Sequence, residues 1–166
     1  ATHILPRIRD EPAPDADTQS PFWHASAPRR LIGSKAFAAF LVASGCVQAA
    51  HAAVLTYSTL IWQSQGLSAG MCGTLWAIAV LAEVGLFAYS RHILARIGPA
   101  MLLIASAALS ILRWALMAYD PPLALLMPLQ VLHAFTYGGS HVAAIHFIHQ
   151  AVPLSMQGSA QALYAT

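Results

Sequence analysis

Two stretches of this chain carry no formal charge, and each is longer than one crossing of a lipid bilayer requires. The first lies between Lys35 and Glu83, and the second runs from Pro121 to Thr166. A transmembrane helix needs only about 20 apolar residues. Charged residues make up 8% of the whole chain, against roughly 25% in an ordinary soluble domain. The sequence therefore predicts several membrane crossings and excludes a water-soluble globular domain.

The crossings are expected to be helices, because a lipid-exposed backbone must satisfy its own hydrogen bonds. Breaks between them are predicted at three places: a polar turn at 63–66, a basic loop at 91–96 and the proline pair that follows Asp120. The predicted fold is an all-α polytopic transmembrane helix bundle. It has about four complete spans and the start of a fifth near Gly158, with approximate boundaries Ala36–Trp62, Gly70–Ser90, Pro99–Ala118 and Leu123–His149.

The first 34 residues differ in composition from the rest of the chain. They hold four of the six acidic residues together with several prolines. Such a segment buries too little apolar surface to offset the entropy lost on ordering. We therefore predict a flexible cytoplasmic linker over 1–34 and part of a membrane domain over 35–166. The chain starts at Ala1 and stops inside an apolar run, so we expect it to be a piece of a longer protein.

Basic residues flank one side of the predicted bundle, namely Arg29, Arg30, Lys35, Arg91 and Arg96. The two opposite loops carry only Asp120. By the positive-inside rule the basic side is cytoplasmic, which suits a multi-pass protein of the bacterial inner membrane. Trp62, Trp114 and Tyr119 would then form an outer aromatic belt. The net charge of +2 is too small and scattered to indicate nucleic-acid binding.

Polar side chains recur at similar depths in three of the predicted spans. At about 1.5 Å per residue, depths of roughly 17–22 Å from the outer end are expected for Gln48, His51, Glu83, His133 and Tyr137. Steps of three and four residues place polar groups on one helical stripe in two spans. The second of these stripes comprises Gln130, His133, Tyr137 and His141. A polar group in lipid is costly unless it faces a partner or a cavity, so these stripes predict an internal cavity or helix interface.

Glu83 is the leading candidate for proton coupling, because intramembrane carboxylates are rare and costly. A poorly solvated carboxyl that is neutral in one conformation and charged in another meets the requirement for coupling. His133 and His51 lie at nearly the same predicted depth and can exchange hydrogen bonds with it. We therefore predict that Glu83 and His133 carry the coupling proton.

Arg113 has two interpretations from the sequence alone. Its predicted depth is only about 9 Å, which leaves some 10 Å between it and Glu83 along the membrane normal and excludes a buried ion pair. Arg113 either anchors its helix, snorkelling outward to Asp120, or binds the anionic group of a substrate. The sequence leaves both interpretations open.

The remaining histidines and the two cysteines form no recognisable metal or redox motif. His141, His146 and His149 do not share one helical face, so we expect interfacial histidines rather than ligands. Cys46 and Cys72 should lie roughly 20 Å apart in depth, too far for a disulfide. No phosphate-binding glycine loop or nucleophile elbow occurs. The sequence predicts no cofactor, no metal and no enzymatic activity.

Several motifs, taken in order, resemble successive helices of phenylpropionate-permease-like transporters, relatives of the nucleoside:proton symporters in the major facilitator superfamily. They are Cys46–Ala53 with Ser58–Trp62, Leu75–Ile78 with Ala82–Val84, Leu112–Trp114, Gln130–Ala134 with Tyr137–Gly138, and Gln157–Ala162. This resemblance implies twelve helices in two six-helix halves, a central cavity and uptake driven by a proton gradient. The implied partners are a small-molecule solute, protons, the lipid bilayer and an N-terminal half of the same protein.

The predicted substrate-cavity residues, some selected by depth and some supported by the resemblance, are Gln48, His51, Arg113, Gln130 and Tyr137. Three functions are compatible with these features. The first is proton-coupled symport of a small organic solute, for which an aromatic carboxylate is one option. The second is a membrane redox or metal protein that uses the intramembrane histidines, and the third is a non-transporting scaffold or sensor. The ordered motifs favour the first.

Overall fold

A computed structural model describes residues 29–165 of the chain, and every regular element in that range is helical. This confirms the all-helical prediction for the described part. Residues 1–28, most of the predicted linker, lie outside the described residues, and 29–33 are helical. The elements in chain order are α1 (Lys35–Ser64), α2 (Ala69–Met117), α3 (Leu123–His133), a π-helix (Ala134–Gly139), α4 (Ser140–Ala151), a 3₁₀ turn (Leu154–Met156) and α5 (Gln157–Ala165).

The turn between α1 and α2 can be explained by its sequence. Gly66 has a φ of 89°, a left-handed conformation that glycine adopts without steric cost and that commonly ends helices. Ser68 is the N-cap of α2, and its Oγ accepts a hydrogen bond from the Met71 backbone N–H at 3.3 Å. The polar turn predicted at 63–66 is thus present, although α1 extends to Ser64.

Helix α2 is in fact two helices joined at Gly98. A straight helix of its 49 residues would be about 74 Å long, more than twice the hydrocarbon thickness of a bilayer. Gly98 interrupts it with φ 72° and ψ 166°, and Pro99 follows. Glu83 and Ser106 both pack against adjacent glycines of the π-helix, which a straight helix would not allow. The chain therefore reverses at Gly98.

This reversal corrects one sequence prediction. The segment 91–96, predicted to be a loop, is helical. Its residues are compatible with a helix, whereas Gly98 supplies the left-handed φ and Pro99 lacks the N–H that a continuing helix would use. Charge marked the correct region of the chain, but the break itself lies at the glycine-proline pair.

Large apolar side chains cover the outside of the helices, and polar ones lie within. Val42, Leu81 and Ile111 are 68%, 71% and 73% exposed, whereas Arg113 and Gln130 are 0% exposed. Water-soluble proteins show the opposite pattern. Helices α1 and α2 are long and apolar enough, by length and composition, to cross a membrane. The distribution fits helices surrounded by lipid.

The described residues fall into two compact units, one comprising 29–45 and 144–165 and the other Cys46–Ala143. In the first unit, Phe40 stacks on Phe147 with 4.5 Å between ring centroids. In the second, Trp62 is 2% exposed and packs with Cys72, Leu75 and Leu126. The ring of Trp62, a residue of the predicted outer aromatic belt, packs against α2, 5.6 Å from that of Trp76.

Candidate functional site

His51 is the centre of a polar cluster inside the second unit. It projects from α1, is 0% exposed, and its Nδ1 lies 2.8 Å from the Val47 carbonyl oxygen, one turn earlier. Its Nε2 lies 3.1 Å from Thr136 Oγ1 in the π-helix. The Val47 carbonyl oxygen can only accept, so Nδ1 carries a proton and donates to it. Thr136 Oγ1 also lies 3.2 Å from the His133 carbonyl oxygen, so one threonine hydroxyl contacts both His51 and the backbone of His133.

Aromatic rings surround His51. The centroids of Trp114, His133 and Tyr137 lie 5.5, 5.6 and 5.4 Å from its own. His133 and Tyr137 are stacked, 5.4 Å apart with an interplanar angle of 8°. The structure therefore brings together three residues predicted from depth and spacing, His51, His133 and Tyr137. Gln48, one turn before His51, is half-buried.

Arg113 is fully buried and points inward from the second half of α2. Its Nε donates to the Leu129 carbonyl oxygen at 2.9 Å, and its Nη2 donates to Gln130 Oε1 at 3.3 Å. Asp120, the partner considered for a snorkelling arginine, instead accepts a hydrogen bond from Gln65 at 2.8 Å. The outward orientation is therefore wrong, because Leu129 and Gln130 on the facing α3 provide closer acceptors.

Four buried atoms in and around this cluster have no hydrogen-bond partner among residues 29–165. They are Arg113 Nη1, Trp114 Nε1, Gln130 Nε2 and His133 Nδ1. Buried polar atoms are paired in the great majority of cases, so each exception requires an explanation. The first three atoms are obligate donors, since none of them has a free lone pair.

Glu83 lies in the first half of α2, next to the π-helix. Its side chain is half-buried, and a Cβ added to Gly138 would lie 3.1 Å from Glu83 Cγ and 3.4 Å from its Oε1. On the other side of the π-helix, a Cβ at Gly139 would lie 2.8 Å from Ser106 Oγ. Only glycine allows both halves of α2 to approach this closely. Glu83 therefore contacts the residue that follows Tyr137, at the edge of the cluster.

The π-helix changes which residues of the fourth predicted span face inward. It winds more residues per turn than an α-helix, so the predicted stripe does not continue past Tyr137. His141 is exposed, whereas Thr136 and Ser140 are 0% and 2% exposed. Within the described residues, His141 therefore does not join the buried part of the stripe. Thr136 was missed, although its position three residues after His133 is an equally good helical step.

An apolar pocket of about 320 Å³ lies beside the cluster. Small-molecule sites are typically pockets of this kind, with about 300 Å³ at the lower end. Trp114 belongs both to the pocket lining and to the ring contacts of His51. The other lining residues come from the second half of α1, the end of α2, the start of α3 and the turns that join these helices, and include Val54, Tyr57, Ile61, Trp62 and Leu126.

Within residues 29–165, no three His, Cys, Asp or Glu side chains are grouped closely enough to hold a metal ion. His146 and His149 are both exposed. Cys46 and Cys72 are both free, and Cys46 is exposed whereas Cys72 is buried. The described side chains can form hydrogen bonds, bind an anion through a cationic group, and exchange protons at carboxyl and imidazole groups.

Comparison with known proteins gives matches over nearly the whole chain. A family model described as the MFS_1 like family matches residues 13–166. The "Probable 3-phenylpropionic acid transporter" of Escherichia coli (strain K12) is 37% identical over 109 residues, which is 66% of this chain and 29% of that protein. The "Uncharacterized transporter YwbF" of Bacillus subtilis (strain 168) is 26% identical over 137 residues, 82% of this chain and 34% of that protein. The chain thus spans about a third of the length of these relatives. No solved structure matches it.

Proposed function

Because this chain belongs to the MFS_1 like family of membrane transporters, we propose that it forms part of a secondary transporter that couples proton symport to uptake of a small organic solute. Relatives named as transporters point to a transport protein and not to an enzyme. The observation that carries the coupling proposal is the position of Glu83, a half-buried carboxyl against Gly138 at the edge of the His51 cluster.

Glu83 has the surroundings that a coupling group needs. Apolar side chains such as Leu86 and Phe87 follow it on its helix, and the Phe87 ring lies against the same glycine. A charged carboxylate in such a place is costly, and binding a proton removes that cost. Glu83 packs directly against Gly138 in the π-helix, which also carries Thr136 and Tyr137. A change in protonation can thereby shift the helix that bears these two residues of the cluster.

His133 is proposed as the second proton-coupling residue. Its ring stacks on Tyr137 and contacts His51, and its Nδ1 is unpaired within the described part of the chain. A buried imidazole with one free nitrogen can accept or release a proton when its surroundings rearrange. Gln48, His51, Arg113, Gln130 and Tyr137 are proposed as the substrate-cavity residues.

An aromatic carboxylate is the proposed solute class. The relative from Escherichia coli is named for 3-phenylpropionic acid, which combines an apolar ring with an anionic head group. The pocket beside Trp114 is large enough for such a ring, and its lining is mainly apolar. The whole protein is proposed to have twelve helices in two halves and to lie in a bacterial inner membrane. A site of this kind then needs residues of both halves.

Uptake by the full-length protein tests this proposal. Membrane vesicles from cells that produce it should accumulate radiolabelled 3-phenylpropionate when the lumen is made alkaline relative to the medium. A protonophore should abolish accumulation but leave equilibration intact. Accumulation that is unaffected by the protonophore, or absent for every aromatic acid in a panel, would refute the proposed symport.

The orientation proposed from the basic residues gives a separate prediction. In a background with Cys46→Ala and Cys72→Ala, a cysteine at exposed Ala95 should resist a membrane-impermeant maleimide in intact cells and react in inverted vesicles. A cysteine at exposed Gln63 should do the reverse. The reason is the excess of basic residues on the side of Arg91 and Arg96. Labelling of position 95 from outside would show that the orientation is inverted.

A further inference from the structure

Three unpaired donors lie on residues that are neighbours in sequence or in space. Arg113 and Trp114 are consecutive, and the Arg113 guanidinium donates to the Gln130 amide oxygen at 3.3 Å. Arg113 Nη1, Trp114 Nε1 and Gln130 Nε2 are buried and have no acceptor within residues 29–165. Arg113 and Gln130 are 0% exposed. Burying a guanidinium whose N–H groups lack an acceptor costs free energy, and a bound acceptor removes that cost.

No acidic residue of the described chain supplies that acceptor. The two carboxylates in 29–165 are Glu83, which packs against Gly138, and Asp120, which accepts from Gln65 in an exposed loop. Anchoring of α2 to α3 uses only Arg113 Nε and Nη2. The Nη1 group is therefore not needed to hold α2 against α3. A purely structural role for Arg113 does not explain why Nη1 is buried without an acceptor in the described part of the chain.

The group that best satisfies several neighbouring N–H donors, one of them cationic, is a carboxylate. An ionised carboxylate only accepts hydrogen bonds, offers about four lone-pair directions, and forms its strongest bonds with guanidinium. We infer that Arg113, Trp114 and Gln130 form the binding site for the carboxylate of the transported acid. The pocket that Trp114 also lines holds the apolar part of the same molecule. This inference rests on the proposed function and adds the residues that select for an acid.

The site separates two tasks within one unit of the chain. Arg113 balances the negative charge of the solute, and Glu83, on the other half of α2, carries the proton. Trp114 connects the two parts of the solute site, since its side chain lines the apolar pocket while its Nε1–H is a buried donor without a partner in 29–165. A neutral analogue of the acid should therefore fill the pocket but gain little from the donors.

The test compares binding of 3-phenylpropionate and its neutral amide to the purified full-length protein. Trp114→Phe keeps an aromatic ring and removes the N–H donor. We expect it to weaken binding of the acid about tenfold and of the amide no more than about threefold, because hydrogen bonds to a charged group are roughly twice as strong. The matched control is Trp76→Phe, since Trp76 Nε1 already donates to Thr59 Oγ1 at 2.9 Å. It should leave the acid-to-amide ratio unchanged.

A second variant protects the test against a folding defect in the first. Gln130→Glu has nearly the same shape and places a carboxylate beside Arg113, where it should displace the acid and reduce its affinity by more than about thirtyfold while amide binding persists. Equal losses for both ligands in Trp114→Phe and in Gln130→Glu would overturn the inference. If the wild-type protein accumulates the acid but neither variant changes the ratio of acid affinity to amide affinity, only this inference fails. If it accumulates no aromatic acid, the proposed function fails and the inference falls with it.

Discussion

Glu83→Gln is expected to abolish proton-driven accumulation of solute by the full-length protein while leaving solute exchange across the membrane intact. Glutamine has nearly the same volume as glutamate and keeps the contact with Gly138, but it cannot bind or release a proton near neutral pH. Accumulation ratios of 3-phenylpropionate in energised vesicles should fall to about one, because exchange without proton coupling only equilibrates the solute. Counterflow in de-energised vesicles, which needs no net proton movement, measures the exchange that should remain.

The other carboxylate of the described part provides the matched control. Asp120 is exposed and accepts a hydrogen bond from Gln65, so Asp120→Asn removes the same charge from a solvated loop. It should retain full accumulation. If Glu83→Gln still concentrates solute with an unchanged dependence on pH, Glu83 has a structural role and the proton is carried elsewhere, with His133 as the next candidate.

Gly139→Val is expected to prevent stable assembly of the protein, and Gly139→Ala to weaken it. Even the Cβ of alanine would lie 2.8 Å from Ser106 Oγ, and overpacking of this kind costs about 1–3 kcal/mol. Valine adds two further methyl groups at this contact with Ser106 of α2. The measurement is the midpoint of thermal unfolding in detergent, followed by size-exclusion chromatography of the full-length protein.

A double variant shows whether that contact is the cause. Ser106→Ala removes the Oγ that the new Cβ would meet, so Gly139→Ala with Ser106→Ala should recover most of the lost midpoint. Gly85 serves as a control, because nothing lies within 4 Å of a Cβ added there, and helix propensity favours alanine. A loss as large for Gly85→Ala, or no recovery in the double variant, would contradict the close packing seen in the structure.

Helix existence and approximate helix ends could be predicted from the sequence because lipid leaves the backbone few options. Gly66, Ser68 and the prolines after Asp120 are local signals, and the observed ends lie within two residues of the predicted ones at these places. The sequence predicts the reversal a few residues before Gly98, because charged residues between apolar helices are typical of a loop. Arg91 and Arg96 are compatible with a helix, and only the backbone conformation of Gly98 shows where it breaks.

The cluster could be predicted in part. Depth counting along straight helices brought His51, His133 and Tyr137 to one layer, and their rings are in contact in the structure. The same counting fails beyond Tyr137, because the π-helix alters the helical phase of the residues after 139 and nothing in the residues 134–139 alone requires that winding. Thr136 is a different case, because its step of three residues from His133 could be found from the sequence alone. The inward turn of Arg113 depends on acceptors in α3, a tertiary feature that spacing along one helix does not reveal.

Coupling of solute movement to proton movement is proposed to depend on Glu83. The most direct measurement is the pH of the medium outside de-energised vesicles when 3-phenylpropionate is added as its salt. Wild-type protein should make the medium more alkaline, because each solute that enters takes at least one proton with it. Glu83→Gln vesicles should show no such change even though labelled solute still exchanges. Alkalinisation of equal size in both, or none in the wild type despite solute entry, would contradict the claim.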